Sequence, residues 1–192
     1  MSHHPTGAGK SSFDLIDRQC FWDAFSLKPG MTVVDLACGA GRYTTAMAGK
    51  MGPEGLIIAV DLWEEGIARI KEAVESSELR IETHVADVGT SVPIADRSVD
   101  LCLMATVLHD LVGDGLAQGA LREVTRILKA GGILSIVEFK KQDGPPGPPR
   151  SVRLGLEDVA RLLMPFGLIR FSAVVDLGPD LWFAEFKAAP KI

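Results

Sequence analysis

The stretch VVDLACGAGRYT, from Val33 to Thr44, contains a strand-like run followed by two closely spaced glycines. It opens with an apolar run typical of a buried strand, and the residues RYTTAMAGKM that follow from Arg42 are typical of a helix. A strand, a tight turn and a helix in this order form a βα unit. Gly39 and Gly41 in the turn carry no Cβ atom, so the backbone there can approach a ligand closely. We therefore expect a ligand site at the carboxyl end of this strand.

Three later segments are similar to the first strand: LIIAVDL (56–62), VDLCLM (99–104) and GILSIVEF (132–139). Nearly continuous apolar runs of this length are typical of strands buried on both faces of a parallel sheet. Apolar residues at helical spacing predict helices at three places: 63–74, 116–127 and 156–166. Strands that alternate with helices indicate an α/β fold with right-handed crossovers.

Two further segments predict the ends of the sheet. RIETHVAD (80–87) alternates apolar and polar residues, which is typical of a half-exposed edge strand. RFSAVVDL (170–177) and LWFAEFKA (181–188) are separated only by Gly178-Pro179-Asp180, which allows a hairpin but no crossover helix. The sheet should therefore be mostly parallel and end in an antiparallel pair.

The size and composition of the whole chain favour one compact domain over residues 1–192. The chain is 47% hydrophobic and carries a formal net charge of −5. This charge argues against nucleic acid or an anionic membrane surface as a partner, and no apolar run has the length of a membrane span. Three widely spaced cysteines indicate neither a disulfide framework nor a zinc site, so we expect no metal and a cytoplasmic location.

Two nucleotide-binding patterns are incomplete. Gly9-Lys10-Ser11 matches the end of a phosphate-binding P-loop, but His4 stands where the motif needs its first glycine, and no strand precedes it. We interpret this segment as a lead-in. The turn after the first strand has Thr44 where a dinucleotide fingerprint needs its last glycine. That difference and the C-terminal hairpin both oppose an NAD-dependent oxidoreductase.

The quoted stretch resembles motif I of the class I S-adenosylmethionine-dependent methyltransferases, D/E-x-G-x-G-x-G, with Asp35 in the acidic place and Ala37 replacing the first glycine. The later segments follow in that family's order over about residues 30–188. TVLHDL (106–111) is similar to the ubiquinone/menaquinone-biosynthesis-like (type 11) branch. The resemblance implies a Rossmann-like, seven-stranded, mostly parallel sheet with helices on both faces and a C-terminal antiparallel hairpin.

The resemblance also implies S-adenosylmethionine as the cofactor and S-adenosylhomocysteine as the product. Asp61, 22 residues beyond Gly39, would take the ribose hydroxyls, and Asp87 would lie near adenine. The other residues that the resemblance places at the donor are Asp35, Ala37, Cys38, Gly39, Gly41, Leu62 and Val88. These roles suit the chemistry, because a carboxylate can accept from two hydroxyls and a cationic sulfonium is favoured near a negative charge.

His109 is the candidate general base. It follows the fourth predicted strand of the family order, where such sheets place the acceptor, and imidazole titrates near neutral pH. Methyl transfer is an in-line displacement, so a base matters only if the acceptor must lose a proton. Neighbouring Asp110 would orient the ring only if the backbone allowed it, and Glu138 and Tyr43 are weaker candidates for the pocket. The alternative is that His109 caps the next segment or bonds locally.

We therefore predict an S-adenosylmethionine-dependent methyltransferase that acts on a small-molecule acceptor. Residues 1–30 would form a helical prefix or lid, with Phe13, Ile16, Cys20 and Ala24 on one stripe, and residues 31–188 the core. The alternative function is a non-catalytic methyltransferase-like module that binds the donor as a sensor or assembly element. The sequence carries no signal for the acceptor's identity or for an oligomeric state.

Overall fold

The computed structural model describes residues 11–75 and 78–189, which contain one mixed β-sheet. Its strands are β1 Thr32–Leu36, β2 Leu56–Asp61, β3 Ile81–Val85, β4 Val99–Ala105, β5 Leu128–Phe139, β6 Leu168–Arg170, β7 Val175–Asp176 and β8 Leu181–Ala188. Their order is β3-β2-β1-β4-β5-β8-β6, and β7 also pairs with β8. β1 to β5 are parallel, with β3 at the predicted edge. The chain order reverses at β1 and β4, so their carboxyl ends flank the switch point of the sheet.

The α-helices of the described residues are α1 Arg18–Ala24, α2 Arg42–Met51, α3 Glu64–Val74, α4 Leu108–Gly113, α5 Ala117–Ile127 and α6 Leu156–Leu163. Short 3-10 turns cover Ser12–Asp14 and Met164–Phe166. α3 and α5 begin one residue after the predicted helices and end with them. The third predicted helix tightens into a 3-10 turn after Leu163, because Pro165 has no N–H group with which to continue the α-helical bonds.

Helices cover both faces of the sheet, as predicted. Alternate strand residues point to opposite faces, so the central strands contribute to two separate cores. One face packs against α1 and α2 through a cluster that includes Phe21, Val33, Met47, Leu101 and Phe183. The other face packs against α4, α5 and α6 through a cluster that includes Val34, Cys102, Ala120, Leu134 and Val159.

The C-terminal hairpin is confirmed, but its first strand is interrupted. β6 ends at Arg170 and β7 begins at Val175, and both pair antiparallel with β8 on the edge away from β5. Between them the hydroxyl of Ser172 accepts the N–H of Glu185 at 2.9 Å, in the place of a backbone carbonyl. The sheet thus has the seven strand positions expected, and the last of them is divided into two segments.

The prefix does not form one continuous amphipathic stripe. Asp17 caps α1 by accepting the N–H of Cys20 at 3.0 Å, and this cap starts a new helix after the 3-10 turn. The new helix has a different phase, so Cys20 is exposed and Phe21 is buried. The predicted place of Cys20 on one stripe with Phe13 and Ile16 is therefore wrong, because a cap interrupts the helical spacing on which it depended.

Gly9 and Lys10 of the P-loop-like segment lie outside the described residues. Ser11, where the description begins, caps the first 3-10 turn by accepting the N–H of Phe13 at 3.3 Å. Across the part of the chain that the structure describes, none of the helices combines the length and apolar character that crossing a bilayer requires.

Candidate active site

The turn after β1 is tight because three of its residues have a left-handed backbone conformation. Ala37, Gly39 and Gly41 have φ values of 62°, 56° and 77°. The N–H groups of Ala37 and Cys38 both donate to the carbonyl of Val60 in β2, at 2.8 and 3.1 Å. Ala37 can stand where the related motif has glycine, although its Cβ makes this conformation about 1 kcal/mol less favourable. Burial raises the pKa of the Cys38 thiol, so it stays neutral and the turn offers a ligand mainly its backbone.

Asp61 connects this turn to the end of β2. Its Oδ2 accepts the N–H of Gly39 at 2.7 Å, and its Oδ1 accepts the N–H of Trp63 at 2.8 Å. Trp63 is the N-cap residue of α3, so Asp61 does not itself occupy the N-cap position. Each carboxylate oxygen can accept a further hydrogen bond. Leu62 beside it is 48% exposed, which leaves an apolar surface at the end of the strand.

Asp35 is a buried carboxyl two residues before Ala37. Its Oδ2 accepts a hydrogen bond from the Thr44 hydroxyl at 2.6 Å. Burial raises the pKa of Asp35 to about 7; the hydrogen bond from Thr44 opposes this effect and the charge of Asp61 adds to it. Asp35 therefore changes its charge near neutral pH, and a nearby cation would favour its ionised form.

Asp87 closes the turn that follows β3. Its Oδ1 accepts the N–H of Gly89 at 2.8 Å, and its carbonyl accepts the N–H of Thr90 at 3.1 Å. The turn-forming role that an aspartate often has at a strand end is therefore present here. Val88 is buried in the core cluster under α5. The ends of β1, β2 and β3 thus bring the three aspartates of the sequence prediction to one edge of the sheet.

His109 and Glu138 form a buried pair at the ends of β4 and β5. The Nδ1 atom of His109 lies 3.0 and 2.9 Å from the two carboxylate oxygens of Glu138. Glu138 is fully buried and also accepts the N–H groups of His109 and Phe139, each at 3.1 Å. Because Nδ1–H donates to the carboxylate, the neutral ring has its acceptor lone pair on Nε2. Glu138, not Asp110, orients the ring.

The charges around the imidazole set its protonation. Burial opposes the charged form of His109, but the hydrogen bond and charge of Glu138, with Asp110, outweigh it and raise the pKa of His109. Asp110 Oδ1 lies 3.5 Å from Nε2. Burial also raises the pKa of Asp110. The ring thus accepts a proton more readily than an ordinary histidine.

A chain of hydroxyls joins the prefix to the start of α2 and to the residue that follows β4. Ser12 Oγ lies 3.1 Å from Tyr43 Oη at the start of α2 and 3.1 Å from Thr106 Oγ1 after β4. Thr106 has a φ of 53°, a strained conformation for a β-branched residue. Tyr43 also packs edge-on against Phe13 with ring centroids 4.9 Å apart. The predicted candidate Tyr43 therefore lies under the prefix.

Sequence reasoning named His109 and Glu138 separately but not as a pair, and it missed Ser12 and Thr106. The pair had a detectable signal, since Glu138 lies near the end of one predicted strand, His109 follows another, and the two strands are adjacent in the family order. Ser12 had none, because its contact with Thr106 joins residues 94 positions apart.

The chain belongs to the family described as the methyltransferase domain, which matches residues 33–132. Together with the fold, the glycine turn and the relatives described below, this match identifies a class I S-adenosylmethionine-dependent methyltransferase of the ubiquinone/menaquinone-biosynthesis-like branch. The solved structure of a SAM dependent methyltransferase from Aquifex aeolicus superposes with a TM-score of 0.82 at 27% identity, over 93% of each chain.

Two curated relatives are similar over longer stretches of the chain than the family match. The ubiquinone/menaquinone biosynthesis C-methyltransferase UbiE of Bordetella parapertussis is 31% identical over 132 residues, which are 66% of this chain and 50% of that protein. The demethylmenaquinone methyltransferase of Lactobacillus johnsonii is 26% identical over 160 residues, which are 83% of this chain and 62% of that protein. The chain spans about half to three fifths of the length of these relatives.

The residues at the turn fit S-adenosylmethionine, the cofactor of this class. Gly41 stands where a Cβ would lie 2.5 Å from Ile70 Cγ1, so the close packing of the turn requires glycine. Both Asp61 oxygens retain acceptor capacity for hydroxyls. The donor carries no phosphate, and the turn supplies a carboxylate and backbone groups in place of a basic cradle.

Proposed function

We propose that this protein transfers a methyl group from S-adenosylmethionine to a small-molecule acceptor, with His109 removing the acceptor's proton. The observation that carries this proposal is the buried His109–Glu138 pair, which lies at the strand ends next to the glycine turn. A histidine oriented through Nδ1 by a carboxylate has the arrangement of a general base. A donor-binding module without catalysis would have no need of such a pair.

Each donor-site residue has a defined task in this proposal. Asp61 accepts the two ribose hydroxyls, Asp87 lies at adenine, and the backbone from Ala37 to Gly41 borders the methionine end. Asp35 contributes a negative charge beside the cationic sulfonium. When bound, S-adenosylmethionine supplies an electrophilic methyl group.

The chain's own residues contribute orientation and proton removal. Glu138 holds Nδ1–H, so Nε2 of the neutral His109 ring is available to accept a proton. The raised pKa makes this ring a stronger base but leaves it protonated to a higher pH. The rising part of the pH–rate profile should therefore lie above the ordinary histidine value of 6.5.

We further propose an aromatic or quinol-type acceptor that must lose a proton from a hydroxyl. The rings of Phe139 and Phe13 support a flat, apolar acceptor, since they lie against His109 and Tyr43 respectively. The names of the curated relatives, which refer to ubiquinone and menaquinone biosynthesis, favour the same class. The prefix, residues 11–30 in the structure, would cover this acceptor.

Calorimetry with S-adenosylhomocysteine tests the donor site. Asp61→Ala should weaken binding by at least about tenfold, because it removes an acceptor of charge-assisted hydrogen bonds. It also removes the bond that anchors the glycine turn at Gly39 and the bond to Trp63 at the start of α3. Asp176→Ala is the control, since this aspartate is exposed in the hairpin. Failure of the folded wild-type protein to bind would refute the donor assignment.

Mass spectrometry tests turnover. The protein is incubated with methyl-deuterated S-adenosylmethionine and either the reduced form of a short-chain demethylmenaquinone or a metabolite extract. We expect a donor-dependent mass gain, and a loss of roughly 100-fold or more in His109→Asn with donor binding retained. Donor binding without any methylated product would favour the non-catalytic alternative, and turnover that survives His109→Asn would exclude the base.

A further inference from the structure

A buried arginine organises the proline-rich loop beside the His109–Glu138 pair. Arg153 is 2% exposed, and its guanidinium donates to backbone carbonyls of the segment before it. The acceptors are Lys140 at 3.2 Å, Gly144 at 2.6 Å, Pro146 at 2.7 Å and Pro148 at 2.8 Å. Within residues 11–75 and 78–189, no carboxylate lies within ion-pair distance of this guanidinium.

The composition of the loop explains this arrangement. DGPPGPPRS (143–151) contains four prolines, which have no N–H group and cannot build a hydrogen-bonded ladder. Its carbonyls still need donors when they are buried. Arginine presents five N–H donors in a rigid plane, so one side chain can satisfy several carbonyls, while those carbonyls in turn stabilise the buried charge.

The same loop packs against the aromatic ring of Phe139, which contacts His109. The Arg153 guanidinium lies 5.4 Å from the centre of the Phe139 ring. Gly147 has a φ of +94°, and a Cβ atom added there would lie 2.6 Å from that ring. The Phe139 ring meets the His109 ring edge-on, with centroids 5.9 Å apart. Arg153 therefore contacts Phe139, and Phe139 in turn contacts His109.

We propose that Arg153 is a positioning residue of the acceptor site, which locks the proline-rich loop onto Phe139 and so holds the His109 ring beside Glu138. The proposal rests on the proposed function only for the role of His109 as a base. Glu138 from β5, Asp110 from α4 and Arg153 from the loop are the charged groups that act on the ring. The positive charge of Arg153 lowers the pKa of His109 and favours the neutral form, which can accept a proton.

Two measurements on the full chain test this proposal. Hydrogen exchange of the amides in residues 140–153 reports how firmly the loop is held, and the ¹H NMR titration of the His109 ring reports its electrostatic surroundings. Arg153→Met should speed loop exchange by at least about tenfold and raise the pKa of His109. Arg150→Met is the matched control, since this exposed arginine of the same loop only approaches Asp143 at 3.7 Å. It should leave both measurements at the wild-type values.

Two further variants distinguish the hydrogen bonds of Arg153 to the loop from the effect of its charge on His109. Arg153→Lys keeps the charge but not the planar donor fork, so loop exchange should rise while the pKa of His109 stays near the wild-type value. Gly147→Ala keeps Arg153 and pushes the loop away from Phe139, so loop exchange should rise and the His109 resonances should shift. A purely structural arginine would lower the melting temperature and leave the His109 titration unchanged.

Wild-type loop exchange or a wild-type His109 titration in folded Arg153→Met overturns the proposal. If that variant does not fold, unchanged loop exchange or unchanged His109 resonances in Gly147→Ala overturn it. Neither measurement depends on an acceptor or on turnover. Calorimetry with S-adenosylhomocysteine on the same samples distinguishes failure of the two proposals. If the wild-type protein does not bind this ligand, the donor site is refuted. Loop exchange and the His109 titration still test the role of Arg153 in that case.

Discussion

Asp35, Asp61 and Glu138 stand at the ends of three parallel strands, yet each has different hydrogen-bond partners. Asp35 accepts one hydroxyl, Asp61 accepts two backbone N–H groups, and Glu138 accepts two backbone N–H groups and an imidazole. Burial disfavours a carboxylate, whereas each donor favours it. These residues therefore have different properties: Asp35 titrates near neutral pH, Asp61 anchors the glycine turn, and Glu138 orients the His109 ring.

Glu138→Gln should lower the pKa of His109, because the amide keeps a hydrogen-bond acceptor but removes the charge that raises this pKa. The rising limb of the pH–rate profile should move to lower pH, and the rate on the plateau should fall with the basicity of the ring. The NMR titration of His109 measures the first effect and kcat/KM against pH the second. Glu157→Gln on the exposed side of α6 is the control, and an unchanged His109 titration in Glu138→Gln would contradict the pairing.

Asp35→Asn should change how stability depends on pH. The folded carboxyl holds its proton up to about pH 7, whereas the ordinary value is 3.8. Between these pH values the folded state binds more protons than the unfolded state. The contribution of Asp35 to the free energy of unfolding therefore falls as pH rises through this window. Asparagine stays neutral at every pH. Between pH 4 and pH 8, the free energy of unfolding of the variant should therefore fall by a few kcal/mol less than that of the wild type.

Urea unfolding at several pH values measures this difference. Asp143→Asn, whose carboxylate is largely exposed in the proline-rich loop, should run parallel to wild type. Parallel curves for Asp35→Asn as well would show that the pKa of Asp35 is not raised in the folded protein.

At the scale of elements, α5 is locked against the turn that carries Asp87. A Cβ added at Gly119 in α5 would lie 1.8 Å from the carbonyl oxygen of Gly89. Gly119→Ala should therefore lower the free energy of unfolding by roughly 2–3 kcal/mol, since helix and turn must separate. Gly113→Ala is the matched control, because a Cβ there meets nothing within 4 Å and should stabilise the chain by up to about 1 kcal/mol.

Chemical denaturation distinguishes these two glycine variants. Gly119→Ala should also weaken S-adenosylhomocysteine binding, because the displaced turn carries Asp87. Wild-type stability of Gly119→Ala would mean that the turn and α5 are not in contact.

At the scale of the whole molecule, the proposed donor site joins elements that follow three different strands. A ligand that binds only the folded arrangement stabilises it, by about 2.7 kcal/mol when its concentration is 100 times its Kd. For a chain of this size, S-adenosylhomocysteine should then raise the Tm by roughly 5–10 °C. NAD⁺ at the same concentration should have no effect. Thermal melts measure both ligands, and a shift with NAD⁺ alone would restore the oxidoreductase alternative.

The fold was predictable where local pattern and burial agree. Strands buried on both faces must be apolar throughout, so β1, β2, β4 and β5 stand out in the sequence. The place of Cys20 on the apolar stripe was predicted wrongly, because the capping bond of Asp17 starts a new helix. At the break between β6 and β7, the Ser172 hydroxyl accepts the N–H of Glu185. A hydrophobic periodicity does not reveal individual hydrogen bonds of this kind.

The α/β order, the glycine turn and the aspartates at its edge could be predicted from the residues alone, because they follow from spacing along one βα unit after another. The structure was needed to show that Glu138 orients His109, that Ser12 contacts Thr106, and that Arg153 holds the proline-rich loop. The physical reason is that each of these contacts joins polar groups brought together by packing, and a buried polar group takes whichever partner the fold places within hydrogen-bond distance.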